Sequence, residues 1–280
     1  MSIHPPHLNV RPVRAFSDNY IWLIDSPRKA GEVVAVDPGD ASPVLAELER
    51  SGASLAAILL THHHPDHIGG VPDLLRHAVG RRPIPTPKPS PIPAPIAVIG
   101  PADARITTLT RTVHDAQRCE LPDLGLSFEI LAVPGHTLSH IAFYGHGALF
   151  CGDTLFSAGC GRMFEGTATQ MNASLTRLRN LPPDTRVFCG HEYTAANLRF
   201  ALTVEPTNGD ALEYQGRVNR LRAAGEPSLP STLDTETRVN PFLRCDQASV
   251  AKSAEIHAGK RLGGPADVFG VLRAWKDGFR

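Results

Sequence analysis

The sequence predicts an α/β layered domain followed by a smaller helical domain. Two patterns lead there. Short apolar runs alternate with amphipathic stretches through the first two-thirds of the chain, and from Glu192 onward the strand signals fade while apolar residues recur at helical spacing. Tyr20 to Asp25 and Glu32 to Asp37 have strand length and composition, and the second run stops at Pro38 and Gly39. Pro43 to Arg50 reads as a helix. Leu55 to Thr61 is apolar but too short for most helices, so it reads as a buried strand. Gly70 to Val79 is again helical. Later strands are expected at Leu126 to Val133, His140 to Tyr144, Ala148 to Cys151 and Arg186 to Cys189, with a helix from Gln170 to Asn180 between the last two. Helices are then expected at Ala195–Val204, Asp210–Ala223, Ala248–Ala258 and Pro265–Phe279. The domains are placed at 1–190 and 191–280.

One segment fits neither domain. From Pro83 to Pro95 every second residue is proline. Each one removes a backbone donor and fixes φ, which forbids helix and interior strand. Residues from about 82 to 96 are read as a surface insertion, either polyproline-II-like or a floppy loop.

Composition excludes several classes. Hydrophobic residues make up 42% and charged residues 20% of the 280, ordinary globular usage. The formal net charge is zero, so no global field attracts nucleic acid or an anionic membrane. No apolar run approaches the roughly 20 residues that span a bilayer, and the amino terminus lacks the basic and apolar regions of a signal peptide. Five cysteines (Cys119, Cys151, Cys160, Cys189, Cys245) are scattered with no C-x-x-C pair. That excludes a thiolate zinc site and a disulfide framework, and it suits a reducing compartment. The expectation is a soluble, cytoplasmic protein.

The chemistry is concentrated where the buried strand ends, at Thr61-His62-His63-His64-Pro65-Asp66-His67. Imidazoles with a carboxylate at this density suit zinc, iron and similar ions. Pro65 disfavours the α conformation at His64 and argues against a helix through the cluster. A loop there would put His62 and His64 on one side, Asp66 and His67 on the other, and turn His63 away. Three further candidates sit at the ends of strand-like runs, each after a glycine: His136, Asp153 and His191. Loops at strand ends of an α/β scaffold are where active sites are expected. His140 reads as a supporting neighbour, Asp37 as either a hydrogen-bond partner of the metal loop or a cap of its own turn, and Cys151 and Cys189 as small packing groups.

The pattern H-x-H-x-D-H followed by separate His, Asp and His resembles the metallo-β-lactamase superfamily. The resemblance implies a four-layer αββα sandwich. It also implies that His62, His64 and His136 hold a first metal, that Asp66, His67 and His191 hold a second, and that Asp153 bridges them. The implied cofactors are two divalent ions per chain, zinc first, with iron or manganese accepted by the same ligands.

Further stretches resemble the hydroxyacylglutathione hydrolase (glyoxalase II) family within that superfamily. They are Phe16-Ser-Asp-Asn-Tyr-Ile-Trp22, Gly152-Asp-Thr-Leu-Phe-Ser-Ala-Gly-Cys-Gly-Arg162, Phe164-Glu-Gly-Thr167, Gly190-His-Glu-Tyr-Thr194, Val239-Asn-Pro-Phe-Leu-Arg244 and Arg273-Ala-Trp-Lys-Asp277. What this implies is hydrolysis of an S-(2-hydroxyacyl)glutathione such as S-D-lactoylglutathione, the second step of methylglyoxal detoxification. The expected partner is that small molecule alone, with the chain a monomer and, from its charge and hydropathy, no nucleic acid or membrane bound. Asp66 would orient or deprotonate the attacking water besides binding metal. Glutathione carries two carboxylates, so its site needs cations. Arg273 and Lys276, three apart on the last helix, share a face suited to gripping one. Charges on a terminal helix are ordinarily solvated, and it is the match to the family's glutathione-contact positions that singles these two out. Arg162, Phe164 and Tyr193 match further contact positions in residues 191–280 and before, which makes the helical domain the substrate-binding one. Arg162 stands where many relatives have lysine and Phe164 where many have tyrosine. A persulfide dioxygenase or a lactonase of the same fold is the competing expectation.

Overall fold

The computed structural model describes residues 8–80 and 95–279. The amino-terminal stretch, residues 1–7, and all of the proline-rich excursion but its last two residues lie outside the described residues. The chain forms two compact units, residues 1–130 and 131–280.

The first unit is built on a six-stranded sheet, β1 (Val10–Ala15), β2 (Asn19–Asp25), β3 (Glu32–Val36), β4 (Ser54–Leu59), β5 (Ala97–Pro101) and β6 (Arg111–Val113), lying in chain order. The first two pairings are antiparallel and the other three parallel. Parallel neighbours need a crossover, and α1 (Ala41–Ser51) supplies the first between β3 and β4. Asp40 caps α1 by accepting from the Ser42 N–H at 2.9 Å, and Gly52 ends it in the left-handed conformation. Its buried residues Ala41, Val44 and Leu48 recur at helical spacing and pack with Ile21, Leu23, Val33, Ala35 and Ile58 of the sheet. Each buried aliphatic of that size contributes about 1.5–3 kcal/mol.

Two features depart from the sequence reading. Pro12 lies inside β1, yet the strand forms because it is the sheet edge, where a missing N–H costs no ladder bond. Pro65 does not exclude a helix. His64 is extended (φ −63°, ψ 144°) as the following proline requires, but a single turn, α2 (Pro65–Ile68), starts at the proline itself. Proline at the first helical position loses no hydrogen bond. This turn leads into α3 (Val71–Gly80). The hairpin β7 (Arg118–Leu121) and β8 (Leu126–Ala132) follows outside that sheet, as the end of a second six-stranded one, and β8 carries the chain across the unit boundary.

The second unit holds β9 (Ile141–Gly145), β10 (Ala148–Gly152), the small hairpin β11 (Leu155–Phe156) and β12 (Gly159–Cys160), α4 (Ala168–Arg179) and β13 (Arg186–Cys189). β9 and β10 form a hairpin through His146 and Gly147, both at positive φ (53° and 67°), the turn geometry that matches strand twist. β10 and β13 are parallel, with α4 in the crossover and a full capping box at its start between Thr167 and Gln170. The helices α5 (Thr194–Val204) and α6 (Gly209–Ala223) follow. Then come the short β14 (Ser231–Thr232), paired with β13, and α7 (Leu233–Val239), α8 (Ala248–Ala258) and α9 (Pro265–Gly278). Among the described residues no helix is long and apolar enough to cross a membrane.

Candidate metal centre and ligand pocket

In the first unit the metal-ligand candidates stand at the carboxyl ends of two parallel strands. Asp37 follows β3 and Thr61 to His64 follow β4, while Asp66 and His67 ride on α2. The carboxylate of Asp37 organises this edge. One oxygen accepts from the Thr61 N–H at 2.8 Å, and the other accepts from the Thr61 hydroxyl at 2.7 Å and meets His67 Nδ1 at 3.1 Å. These bonds compensate a left-handed backbone at Asp37 (φ 53°). They also set proton positions. His67 donates from Nδ1, which leaves the Nε2 lone pair for a ligand. Thr61 gives its hydroxyl proton to Asp37, so its oxygen accepts from His62 Nδ1 at 3.0 Å and His62 too presents a bare Nε2. That nitrogen lies 3.2 Å from His64 Nδ1, two ring nitrogens converging on one point. His63 turns aside toward Asp103 at 3.5 Å.

Asp66 accepts from Asn19 Nδ2 at 3.0 Å. Sequence reasoning placed Asn19 in a resembling stretch but gave it no role. Gly39 is required by this arrangement, since a Cβ there would lie 1.8 Å from the Asp66 carbonyl oxygen.

The second unit carries His136, Asp153 and His191. Asp153 comes directly after β10, and His191 follows β13 by one glycine. His136 Nδ1 donates to the Arg162 carbonyl at 2.8 Å, freeing Nε2. One Asp153 oxygen then faces two imidazole nitrogens, His136 Nε2 at 3.5 Å and His191 Nε2 at 3.3 Å. His140 is a supporting residue here. Its Nδ1 donates to the Ile141 carbonyl at 3.1 Å, and its Nε2 accepts the Asp153 N–H at 3.2 Å, which pins the loop carrying the carboxylate. Gly161 packs against the same loop, where a Cβ would sit 1.9 Å from the Asp153 carbonyl oxygen.

The donor set on each unit fits a divalent metal. Neutral imidazoles with lone pairs directed by backbone or carboxylate partners, alongside carboxylate oxygens, are what zinc and its neighbours require. Asp37→Asn should lower metal affinity about 10–100-fold, the usual cost of an outer partner. Competition against a chromophoric chelator checks this, and unchanged affinity would remove Asp37 from the account.

A cavity of about 440 Å³ in the second unit opens beside His136 and Asp153 and is lined also by Arg162, Phe164, Tyr193, Arg273 and Lys276. Tyr193 stacks on His191, centroids 4.8 Å apart and planes 5° from parallel. Phe164, 64% exposed, meets the His136 ring edge-on at 5.3 Å. Arg273 is buried, with Nη1 on the Cys160 carbonyl at 2.8 Å and its guanidinium over the Phe242 ring. Lys276 Nζ lies 5.5 Å from the Phe200 and Phe279 ring centroids. Burial, and next the Arg273 charge, hold its ammonium below the ordinary lysine range.

The five cysteines are all buried and unbridged. Burial pushes the Cys160 thiol up to about 11 against the opposing pull of Arg273, and raises Cys151 and Cys189 as well. Cys151 and Cys189 are small packing groups, as their sequence context suggested.

Two family descriptions cover nearly the whole chain. "Metallo-beta-lactamase superfamily" matches residues 16–191, and "Hydroxyacylglutathione hydrolase C-terminus" matches residues 192–279. A hydroxyacylglutathione hydrolase of Aeromonas hydrophila subsp. hydrophila is 52% identical, over 95% of this chain and 98% of its own. One from Idiomarina loihiensis is 49% identical, over 96% and 99%. Among solved structures, ETHE1 from Myxococcus xanthus is similar in fold, with a TM-score of 0.61 at 23% identity over 96% of this chain and 98% of that one. The structure of TTHA1623 in a di-iron-bound form aligns with a TM-score of 0.55 at 26% identity, covering 83% of this chain and 99% of that one.

Proposed function

Because the chain belongs to the hydroxyacylglutathione hydrolase family of the metallo-β-lactamase superfamily, we propose that it uses two divalent metal ions to hydrolyse S-D-lactoylglutathione to glutathione and D-lactate, the second step of methylglyoxal detoxification. In this reading residues 1–190 form the catalytic domain and residues 191–280 the substrate-binding domain. His62, His64 and His136 would hold one metal, Asp66, His67 and His191 the other, and Asp153 would serve both. The observation that carries it is the single Asp153 oxygen facing His136 Nε2 and His191 Nε2 at 3.5 and 3.3 Å. A carboxylate oxygen set between two imidazole nitrogens would suit a ligand shared by two divalent ions.

Zinc is the metal this donor set favours, with iron or manganese tolerated. A bound metal pair supplies a nucleophile at neutral pH and polarises the thioester carbonyl. The protein's own groups do the rest. Asp66, steadied by the Asn19 amide, orients the attacking water and takes its proton. The new C–O bond forms first, the C–S bond breaks as the carbonyl re-forms, and the thiolate leaves without a side-chain acid because its conjugate acid has a pKa of about 8.5. Arg162, Arg273 and Lys276 meet the carboxylates of the glutathione moiety, Tyr193 offers its hydroxyl, and Phe164 gives an apolar wall.

The test is direct. Purified, zinc-loaded protein should hydrolyse S-D-lactoylglutathione, lose that activity on chelation and regain it with zinc. No thioester hydrolysis, or turnover of glutathione persulfide or a lactone in its place, would overturn the reading.

A further inference from the structure

The cavity contains a carboxylate that the catalytic account does not use. Asp277 lines it, with Oδ1 at 3.0 Å from Arg273 Nη2 and 3.4 Å from Arg162 Nε. Two of the three cations that would meet a ligand carboxylate are therefore already paired with one belonging to the protein. Lys276 makes no ion pair among the described residues.

Helix stability does not account for the pairing. Asp277 sits in the last turn of α9, the end where the macrodipole disfavours an anion. The Arg273–Asp277 pair also runs with the cation four residues ahead of the anion, the weaker order for a helix pair. What Asp277 gains, it gains from two guanidiniums on different elements. The groups differ in freedom. Arg273 is fixed, its side chain 6% exposed and its other amino group on the Cys160 carbonyl, whereas the Asp277 side chain is 45% exposed and able to turn into water.

We propose that Asp277 is an internal competitor for the substrate. Its carboxylate occupies the Arg162–Arg273 pair when no ligand carboxylate is there, and it swings out when the ligand's carboxylate takes its place. This rests on the glutathione reading given above. The consequence is a pocket that binds the glutathione moiety less tightly than its three cations alone would, and releases product glutathione faster.

The experiment compares wild type with Asp277→Asn and Asp277→Ala. Binding of glutathione is measured by calorimetry, and KM is measured with S-D-lactoylglutathione. Both variants should bind glutathione about three- to tenfold more tightly, the range expected for losing partly exposed ion pairs, and KM should fall in parallel with no gain in kcat. Unchanged binding would mean a solvated pair, weaker binding would mean that Asp277 merely holds the arginines for the ligand, and either result overturns the proposal. If the variants bind glutathione more tightly while wild type leaves the thioester intact, the hydrolase reading fails and the competitor role stands. If wild type hydrolyses the thioester and the variants bind glutathione like wild type, the reverse holds.

Discussion

An Asp153→Ala protein should fold, bind less metal and lose thioester hydrolysis by well over 100-fold. The carboxylate faces both His136 and His191, so in the proposed two-metal centre its removal would take charge and a donor atom from both ions at once. Losing a residue one shell further out already costs about 10–100-fold, and a shared ligand should cost more. The fold should survive, because the loop is held through the backbone: the Asp153 N–H is given to His140, whose ring is fixed by the Ile141 carbonyl. Hydrolysis rates, metal content and a melting curve on the same preparation separate these effects. Activity within tenfold of wild type would remove Asp153 from the centre.

Glu236→Ala should be the most destabilising of the changes considered, by about 3 kcal/mol or more. Glu236 is fully buried and accepts from the Ser157 hydroxyl at 2.7 Å, the Ala158 N–H at 2.7 Å and Asn240 Nδ2 at 3.2 Å. Together with Asn240 and Asn197, which donate to the Phe156, Gly159 and Ser157 carbonyls, it fixes the turn of the β11–β12 hairpin. The Ala158 N–H would lose its acceptor, which costs about 1–3 kcal/mol for a buried donor, and Ser157 and Asn240 would each lose one of their partners beside the cavity left by the side chain. Burial raises the Glu236 carboxyl above its ordinary 4.5, against hydrogen bonds that pull it down. A raised folded-state pKa gives stability that is complete below the unfolded value and is lost as pH climbs through the folded one. Wild type should therefore compare best with Glu236→Gln in acid and progressively less well toward neutral pH. Denaturant melts at several pH values check both statements. A Glu236→Ala loss under 1 kcal/mol, or an advantage of wild type that grows with pH, would contradict them.

Much of this was legible in the amino acids. Long elements announced themselves by period: α8 runs over the residues its apolar spacing marks, and α1, α4, α5, α6 and α9 differ from expectation by a residue or two at their ends. The strands of two or three residues, β6, β11, β12 and β14, are too short to show any period. β1 was hidden by Pro12, whose exclusion from strands lapses at a sheet edge, and α2 by Pro65, whose exclusion from helices lapses at the first position.

In the candidate site, glycine before each of His136, Asp153 and His191 marked the strand-end turns that carry them. The supporting polar residues were less visible. Asp37 and His140 stood out only by nearness to the motifs, and Asn19 not at all, because a single amide in a strand says nothing about the distant carboxylate it will meet. Asp277 was hidden for a different reason: an acid near the end of a helix is ordinarily solvated, and it is the guanidinium of Arg162, distant in sequence, that distinguishes it.

The central claim is that seven imidazole and carboxylate side chains hold two divalent ions that the hydrolysis requires. The most direct test is to count metal per chain after exhaustive loading and gel filtration while assaying the same sample. The account predicts two equivalents and full thioesterase activity, with both lost together on chelation. One equivalent at saturation, or undiminished hydrolysis by metal-free protein, would contradict it.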